Sequence, residues 1–167
     1  MAEEFTVVPV AHVIGGRTEP TDDYWGGTRS IIRITPDFPA DSTEGLAEFS
    51  HLEIVFRFHL TDPTDLHPAA RRPRDNPAWP PVGIFGHRNM RRLNWLGVSR
   101  CRLLKVDGLD LHVEDLDAVA GTPVIDIKPW FTEMGPRGET HQPTWPTEML
   151  ADYYSRADEQ DVVSGEK

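Results

Sequence analysis

A chain of 167 residues with a formal net charge of −10 is long enough for one domain with a real core, and too acidic to bind nucleic acid indiscriminately over its whole surface. No apolar run approaches the roughly 20 residues of a membrane span, so no membrane partner is expected. The polar, acidic start Met1-Ala2-Glu3-Glu4 is read as carrying no secretory signal, and the single Cys101 excludes an intramolecular disulfide; together they point to the reducing cytoplasm.

The 13 glycines and 15 prolines cut the chain into short segments. In chain order, strands are expected over residues 6–14, 30–34 and 53–59. In the last of these Ile54, Phe56 and Phe58 fall on one face, with Glu53, Val55, Arg57 and His59 on the other. A short helix is expected over 42–49. Residues 61–81 are rich in proline and arginine and have no periodicity, so they read as a long functional loop. A strand over 82–86 follows, then one over 98–106. Asp107-Gly108 is a hairpin signal that leads into Leu109, Leu111 and Val113 on one face of the next strand. A strand over 123–127 completes the set. About seven strands without intervening long helices imply a mainly β protein, an antiparallel single-sheet barrel with a few short helices. A C-terminal helix is expected over 146–156, capped by Thr144 or Thr147, where Met149, Leu150, Tyr153 and Tyr154 recur at helical spacing. The expected organisation is a barrel domain over 1–135 and an extension over 136–167 with one helix and a frayed tail.

Charge is unevenly spread. Between Arg71 and Arg102 lie eight arginines (71, 72, 74, 88, 91, 92, 100 and 102) against one acid, Asp75; the segment is near +7, which leaves −17 for the rest. Two readings stand side by side: a specific anionic partner, or arginines paired with acids inside the fold or across a dimer. There is no Walker-type phosphate loop, no Gly-x-Gly-x-x-Gly after a strand and no Cys-x-x-Cys zinc spacing. His51 and His59 share strand parity with Glu53, but eight residues of extended chain separate them by about 26 Å, too far to share a metal. No metal cofactor is expected.

The motifs that remain carry a resemblance. Phe49-Ser50-His51-Leu52 is followed by Phe58-His59, then by Val82-Gly83-Ile84-Phe85 running into Arg88, then by Asn94 and Gly97-Val98-Ser99. Last come Asp115-Leu116-Asp117 and Gly121-Thr122-Pro123-Val124-Ile125-Asp126-Ile127-Lys128-Pro129. In this order, from about Thr6 to Trp130, they resemble the TsaA/TrmO-like (YaeB-like, UPF0066) family of S-adenosylmethionine-dependent tRNA methyltransferases. The resemblance implies a β-barrel, usually dimeric, that holds the methyl donor without a dinucleotide-binding fold. It implies donor contacts from His59, Leu60, Arg88, Val98, Glu114, Asp115, Leu116 and Asp117, and from the turn at Trp25 and Gly26. It implies methylation of the threonylcarbamoyl nitrogen of a modified adenosine beside a tRNA anticodon, with Arg91, Arg92 and Asn94 near the substrate or RNA.

The residue chemistry suits that reading, with alternatives beside it. Arg88 can grip a carboxylate bidentately or pair with Asp126. Asp117 can accept from ribose hydroxyls or cap the turn into Gly121. His59 can stack on the donor or sit as a satisfied rim histidine. Asn94 can fix a turn, Lys128 can neutralise Asp126, and Trp25, Trp95 and Trp130 can be aromatic walls or core. No general base is evident. The chain also departs from the family's Arg-Ser-Pro-x-Arg-Pro-Asn-Pro-Ile-Gly stretch: Asn89 stands for the Ser, Leu93 and Trp95 replace the prolines around Asn94, and Ala120 replaces the acid before Gly-Thr-Pro. The family's additional C-terminal domain is not expected here. These changes leave open a small-molecule acceptor, or a module that binds the donor without turnover.

Overall fold

The computed structural model describes residues 3–157. Six strands form a closed barrel in the order β1-β2-β5-β4-β3-β6, with β6 pairing back onto β1. They are β1 (Ala11–Ile14), β2 (Arg29–Ile34), β3 (His51–Arg57), β4 (Leu96–Asp107), β5 (Asp110–Glu114) and β6 (Pro123–Pro129). Every neighbouring pair is antiparallel. Among the described residues no helix is long and apolar enough to cross a membrane.

Period-2 alternation fills the barrel. Leu52, Ile54 and Phe56 of β3 point inward, as do Val13, Ile32, Leu111, Val113 and Val124 from four other strands. On β4 the inward positions are Gly97, Ser99 and Cys101, while Leu96, Val98, Arg100 and Arg102 face out. Gly97 lies directly opposite Phe56, and a Cβ there would come 2.4 Å from Phe56 Cζ, so the missing side chain is the space the ring occupies. Burial, with Asp117 and Asp115 nearby, pushes the Cys101 thiol up to about 12, as befits a small buried core residue.

The expected hairpin is present: Asp107 pairs with Asp110 around Gly108, whose φ of 59° suits a tight turn. The barrel has six strands rather than about seven. Residues 82–86 are not a strand; only Val82 forms a bridge, with Arg71, and Ile84–Gly86 is a tight 3-10 turn. Pro80 and Pro81 donate no backbone hydrogen bond just where the ladder would start. The first strand is shorter than 6–14, because pairing partners on β2 and β6 begin only at Ala11. The helix expected over 42–49 is two 3-10 turns, Ala40–Thr43 and Leu46–Glu48, separated by Gly45 at φ 76°.

The C-terminal helix, α1, spans Thr144–Met149 with Pro143 as its cap, and buries Trp145. Thr144 lies inside it, and the Thr147 hydroxyl accepts from Gln142 Nε2 at 2.8 Å instead of capping. It stops well short of 156 because the carbonyls of Asp152 and Tyr153 accept from Tyr24 and Trp25 N–H, at 3.1 and 2.8 Å. Tertiary hydrogen bonds thus replace helical ones. The tail beyond Ala157 lies outside the described residues.

Odd-numbered strands all end, and even-numbered strands all begin, at one rim of the barrel. The three loops there are residues 15–28, 58–95 and 115–122. Among the described residues, every non-glycine with positive φ is in these loops: Tyr24, Arg74, Asp75, Asn94, Trp95 and Asp115. Such backbone costs on the order of 1 kcal/mol per residue and concentrates where a binding surface is being shaped.

Gly97→Ala is expected to destabilise the barrel by about 1–3 kcal/mol, because the new methyl meets a rigid ring inside a filled core. Urea unfolding checks this; an unchanged midpoint would mean that Phe56 can move aside.

Candidate functional site

The loop rim collects all of the donor residues that the family resemblance implied. His59 and Leu60 follow β3, Arg88 lies in the loop that precedes β4, Val98 is near the start of β4, Glu114 ends β5, and Asp115, Leu116 and Asp117 follow it. Trp25 and Gly26 sit in the loop that precedes β2.

Three local groupings build the rim. In the first, the exposed Arg88 donates from Nη2 to Val98 O at 3.4 Å, which places its guanidinium beside the outward face of β4. The alternative partner, Asp126, is taken by Lys128 Nζ at 2.6 Å. In the second, His59 Nδ1 lies 3.3 Å from Thr122 Oγ1, and its Nε2 is against Gly121. Partial burial, Arg57 and His12 all lower the His59 pKa below 6.5. The Gly-Thr-Pro motif therefore serves as the seat of the histidine as well as the start of β6.

The third grouping is the largest. Asp115, at φ 68°, accepts from Gly27 N–H through Oδ1 at 2.7 Å and donates its own N–H to Thr28 O at 3.0 Å. It clamps the β1–β2 loop to the end of β5. Glu114 is buried and receives Arg29 Nε at 3.2 Å and Arg102 Nη1 at 2.9 Å. Arg29 and Glu114, with Gly26, Gly27 and Arg156, line a polar cleft of about 260 Å³. Asp117 does not cap the turn into Gly121, which is closed by Thr122 N–H donating to Val119 O at 3.2 Å. Its Oδ2 instead accepts the Tyr153 phenol at 2.5 Å, while Oδ1 is buried without a partner. Leu116 is fully buried beneath.

Trp25 is buried, and its indole lies under the Arg17 guanidinium at 4.8 Å. Arg17 also donates to the carbonyls of Asp23 and Tyr24, and its own carbonyl accepts from Ala120 N–H at 2.7 Å, so it holds two rim loops together. Trp95 stays at the rim, near Arg57. Trp130 does not: it follows β6 at the opposite end, under Arg100 at 4.4 Å. An aromatic wall from Trp130 is excluded by strand direction.

The arginine cluster is largely consumed by the fold. Arg74 pairs with Asp23 at 2.8 Å, and Arg91 with Asp65 at 3.5 Å. Arg72 donates to Pro77 O and Trp79 O, and Arg92 to Ile84 O and His87 O. Asn94 and Trp95 both take left-handed backbone, φ 64° and 53°. A proline at 95, as in the family pattern, is locked near −65°, so replacing it permits a turn of different shape. Among the described residues no group of three His, Cys, Asp or Glu is placed to hold a metal ion.

Arg17 and Tyr153 belong to this rim, and the sequence reading assigned neither to it. Arg17 lies outside the motif turn of its loop, and Tyr153 looked like one turn of a longer helix. Asp115→Ala is expected to cost about 1–2 kcal/mol, because Gly27 N–H loses a charged acceptor; thermal unfolding tests it. His59 should titrate below 6.5 by NMR. Because its folded pKa is depressed, the unfolded chain binds the proton first, so this histidine's contribution to stability falls as pH drops from 6.5 toward its folded value. A midpoint at or above 6.5 would contradict this.

Residues 21–135 match the family model described as tRNA-methyltransferase O N-terminal domain. The Escherichia coli (strain K12) protein named tRNA (adenine(37)-N6)-methyltransferase is 40% identical over 104 residues, 59% of this chain and 43% of that protein. The human protein of the same name is 37% identical over 109 residues, 64% of this chain and 24% of its own length, so the chain spans about a quarter of that relative. A Methanothermobacter thermautotrophicus protein named probable S-adenosyl-L-methionine-binding protein is 33% identical over 119 residues, 71% of this chain and 82% of that protein. A crystal structure of TrmO shares the fold with a TM-score of 0.68 at 24% identity, covering 84% of this chain and 64% of that one. The chain belongs to the tRNA-methyltransferase O N-terminal domain family.

Proposed function

We propose that this protein binds S-adenosylmethionine at the loop rim and transfers its methyl group to the threonylcarbamoyl nitrogen of a modified adenosine in tRNA. The observation that carries the reading is the gathering of all the implied donor residues at one rim by strand direction. The names of the relatives, tRNA (adenine(37)-N6)-methyltransferase and probable S-adenosyl-L-methionine-binding protein, support it.

The donor carries a carboxylate, an ammonium and ribose hydroxyls, and the rim offers a guanidinium for the first and a carboxylate oxygen for one of the other two. Arg88 holds the carboxylate with its exposed guanidinium. Asp117 Oδ1, buried and unpartnered, accepts from an N–H or O–H. Val98 and Leu60, both exposed, present apolar surface to the rest. S-adenosylmethionine supplies an electrophilic methyl on its sulfonium. The chain's work is to hold the acceptor nitrogen in line with that methyl and to exclude water, which accounts for much of such a rate. No residue is assigned as base.

A second reading, transfer to a small molecule or donor binding without turnover, draws on the arginines. Arg72, Arg74, Arg91 and Arg92 are engaged with carbonyls or acids of the loops, which weakens the case for an RNA-binding cluster. Residues 3–135 act as the barrel unit and 136–157 as an extension packed on it. Outward Leu96 and Val98 and loop residue Leu93, all exposed, support a homodimer through the start of β4. A cytoplasmic setting suits the buried free thiol of Cys101.

Calorimetry with S-adenosylmethionine tests the donor site. The unaltered chain should bind, and Arg88→Ala should weaken binding about tenfold or more. No binding by the unaltered chain would sink the reading; equal affinity would remove Arg88 from the site. Labelled methyl transfer to bulk tRNA separates the two acceptor readings.

A further inference from the structure

The segment after β6 starts at the rim opposite the site, yet its end packs on the site. Residues 130–152 run the height of the barrel. On the way Trp145 is buried, and Glu148 Oε2 accepts from Trp79 Nε1 of the β3–β4 loop at 2.7 Å. At the loop rim the segment aligns with the β1–β2 loop: Asp152 O and Tyr153 O accept from Tyr24 and Trp25 N–H.

Gly26 records how close this approach is. A Cβ there would lie 1.9 Å from Tyr154 O and 2.8 Å from Tyr154 C, both backbone atoms, so only glycine lets the segment seat. Gly26 is not among the positive-φ glycines, so turn geometry alone does not call for glycine there.

The seated segment delivers a phenol to the rim. The Tyr153 phenol donates to Asp117 Oδ2 at 2.5 Å, and burial together with Asp117 raises the phenol's pKa, which keeps it protonated as the donor. One carboxylate oxygen is thereby fixed and the other left buried with no partner among the described residues. A buried, unpaired carboxylate oxygen is costly unless a donor arrives from outside.

We propose that Tyr153, carried to the rim by the C-terminal segment, is a positioning residue: it orients Asp117 so that Oδ1 receives an N–H or O–H of the bound methyl donor. This rests on the donor-binding reading above. Tyr153 lies beyond residues 21–135, the part that matches the family model, so the segment adds a wall to the site from outside the barrel motif.

The test is a double-mutant cycle on the full-length chain, with binding measured by calorimetry for two probes, S-adenosylmethionine and methylthioadenosine. Tyr153→Phe keeps the ring and removes the hydroxyl; it should weaken binding of S-adenosylmethionine about tenfold. Asp117→Asn should weaken it similarly, and the double variant no further, because both act through one carboxylate. Loss for both probes assigns Oδ1 to a ribose hydroxyl; loss for S-adenosylmethionine alone assigns it to the ammonium. Gly26→Ala, which unseats the segment, should reproduce the Tyr153→Phe loss. Unchanged affinity in Tyr153→Phe, or additive losses in the cycle, would overturn the proposal even if thermal stability falls. No binding by the unaltered chain would overturn the donor reading itself, and the proposal with it.

Discussion

Closure of the barrel by strictly antiparallel pairing constrains everything else. Because the strand order alternates odd with even around the ring, three loops must leave from one rim, and they carry nearly every unusual residue of the chain. The opposite rim holds the Asp107–Asp110 hairpin, the β2–β3 connection and Trp130. A small barrel interior filled by Ile32, Leu52, Ile54, Phe56 and Leu111 leaves no room for a ligand inside. Binding chemistry is therefore confined to a rim or an outer face. The glycine-rich phosphate loop of a dinucleotide fold has no counterpart because, among the described residues, no parallel strand feeds a helix N-terminus.

The barrel was legible where sequence and physics agreed at short range. Alternation at Leu52, Ile54 and Phe56, and at Leu111 and Val113, leaves one way to bury both sets, and Asp107-Gly108 supplies the turn that joins two of the strands. Residues 82–86 misled because Val82, Ile84 and Phe85 look strand-like. The prolines before them and the turn at Gly86, which donates its N–H to Gly83 O at 2.8 Å, deny them a ladder. The end of α1 was illegible for a different reason. Helical spacing continues through Tyr154, but the deciding hydrogen bonds come from Tyr24 and Trp25, about 130 residues earlier in the chain.

The acids of the motif do different work. Asp115 and Glu114 are largely occupied by the fold, one clamping Gly27 and the other holding two arginines. Asp117 differs, because its hydrogen-bonding capacity is only half used. Spacing alone treats these acids alike. What distinguishes them is which oxygen still lacks a donor, and that depends on a tyrosine some 36 positions away in sequence.

The same accounting applies to the positive charge. A segment near +7 invites a nucleic-acid reading, but a guanidinium has five N–H donors and is well suited to tying together carbonyls in loops without regular structure. The β3–β4 loop, with few strand or helix hydrogen bonds of its own, uses Arg72 and Arg92 in this way, and Arg74 anchors it to the β1–β2 loop through Asp23. Arg29 and Arg102 are different: they share one buried carboxylate, so the pair keeps one net positive charge at the surface. Charge available to an anionic ligand is thus smaller than the segment total; Arg88 beside β4 and the net charge over Glu114 contribute to it. Such an arrangement suits a few directed contacts, to a carboxylate or single phosphates, better than a broad electrostatic surface. Recognition of any RNA would then depend on the shape of the rim loops more than on the count of arginines.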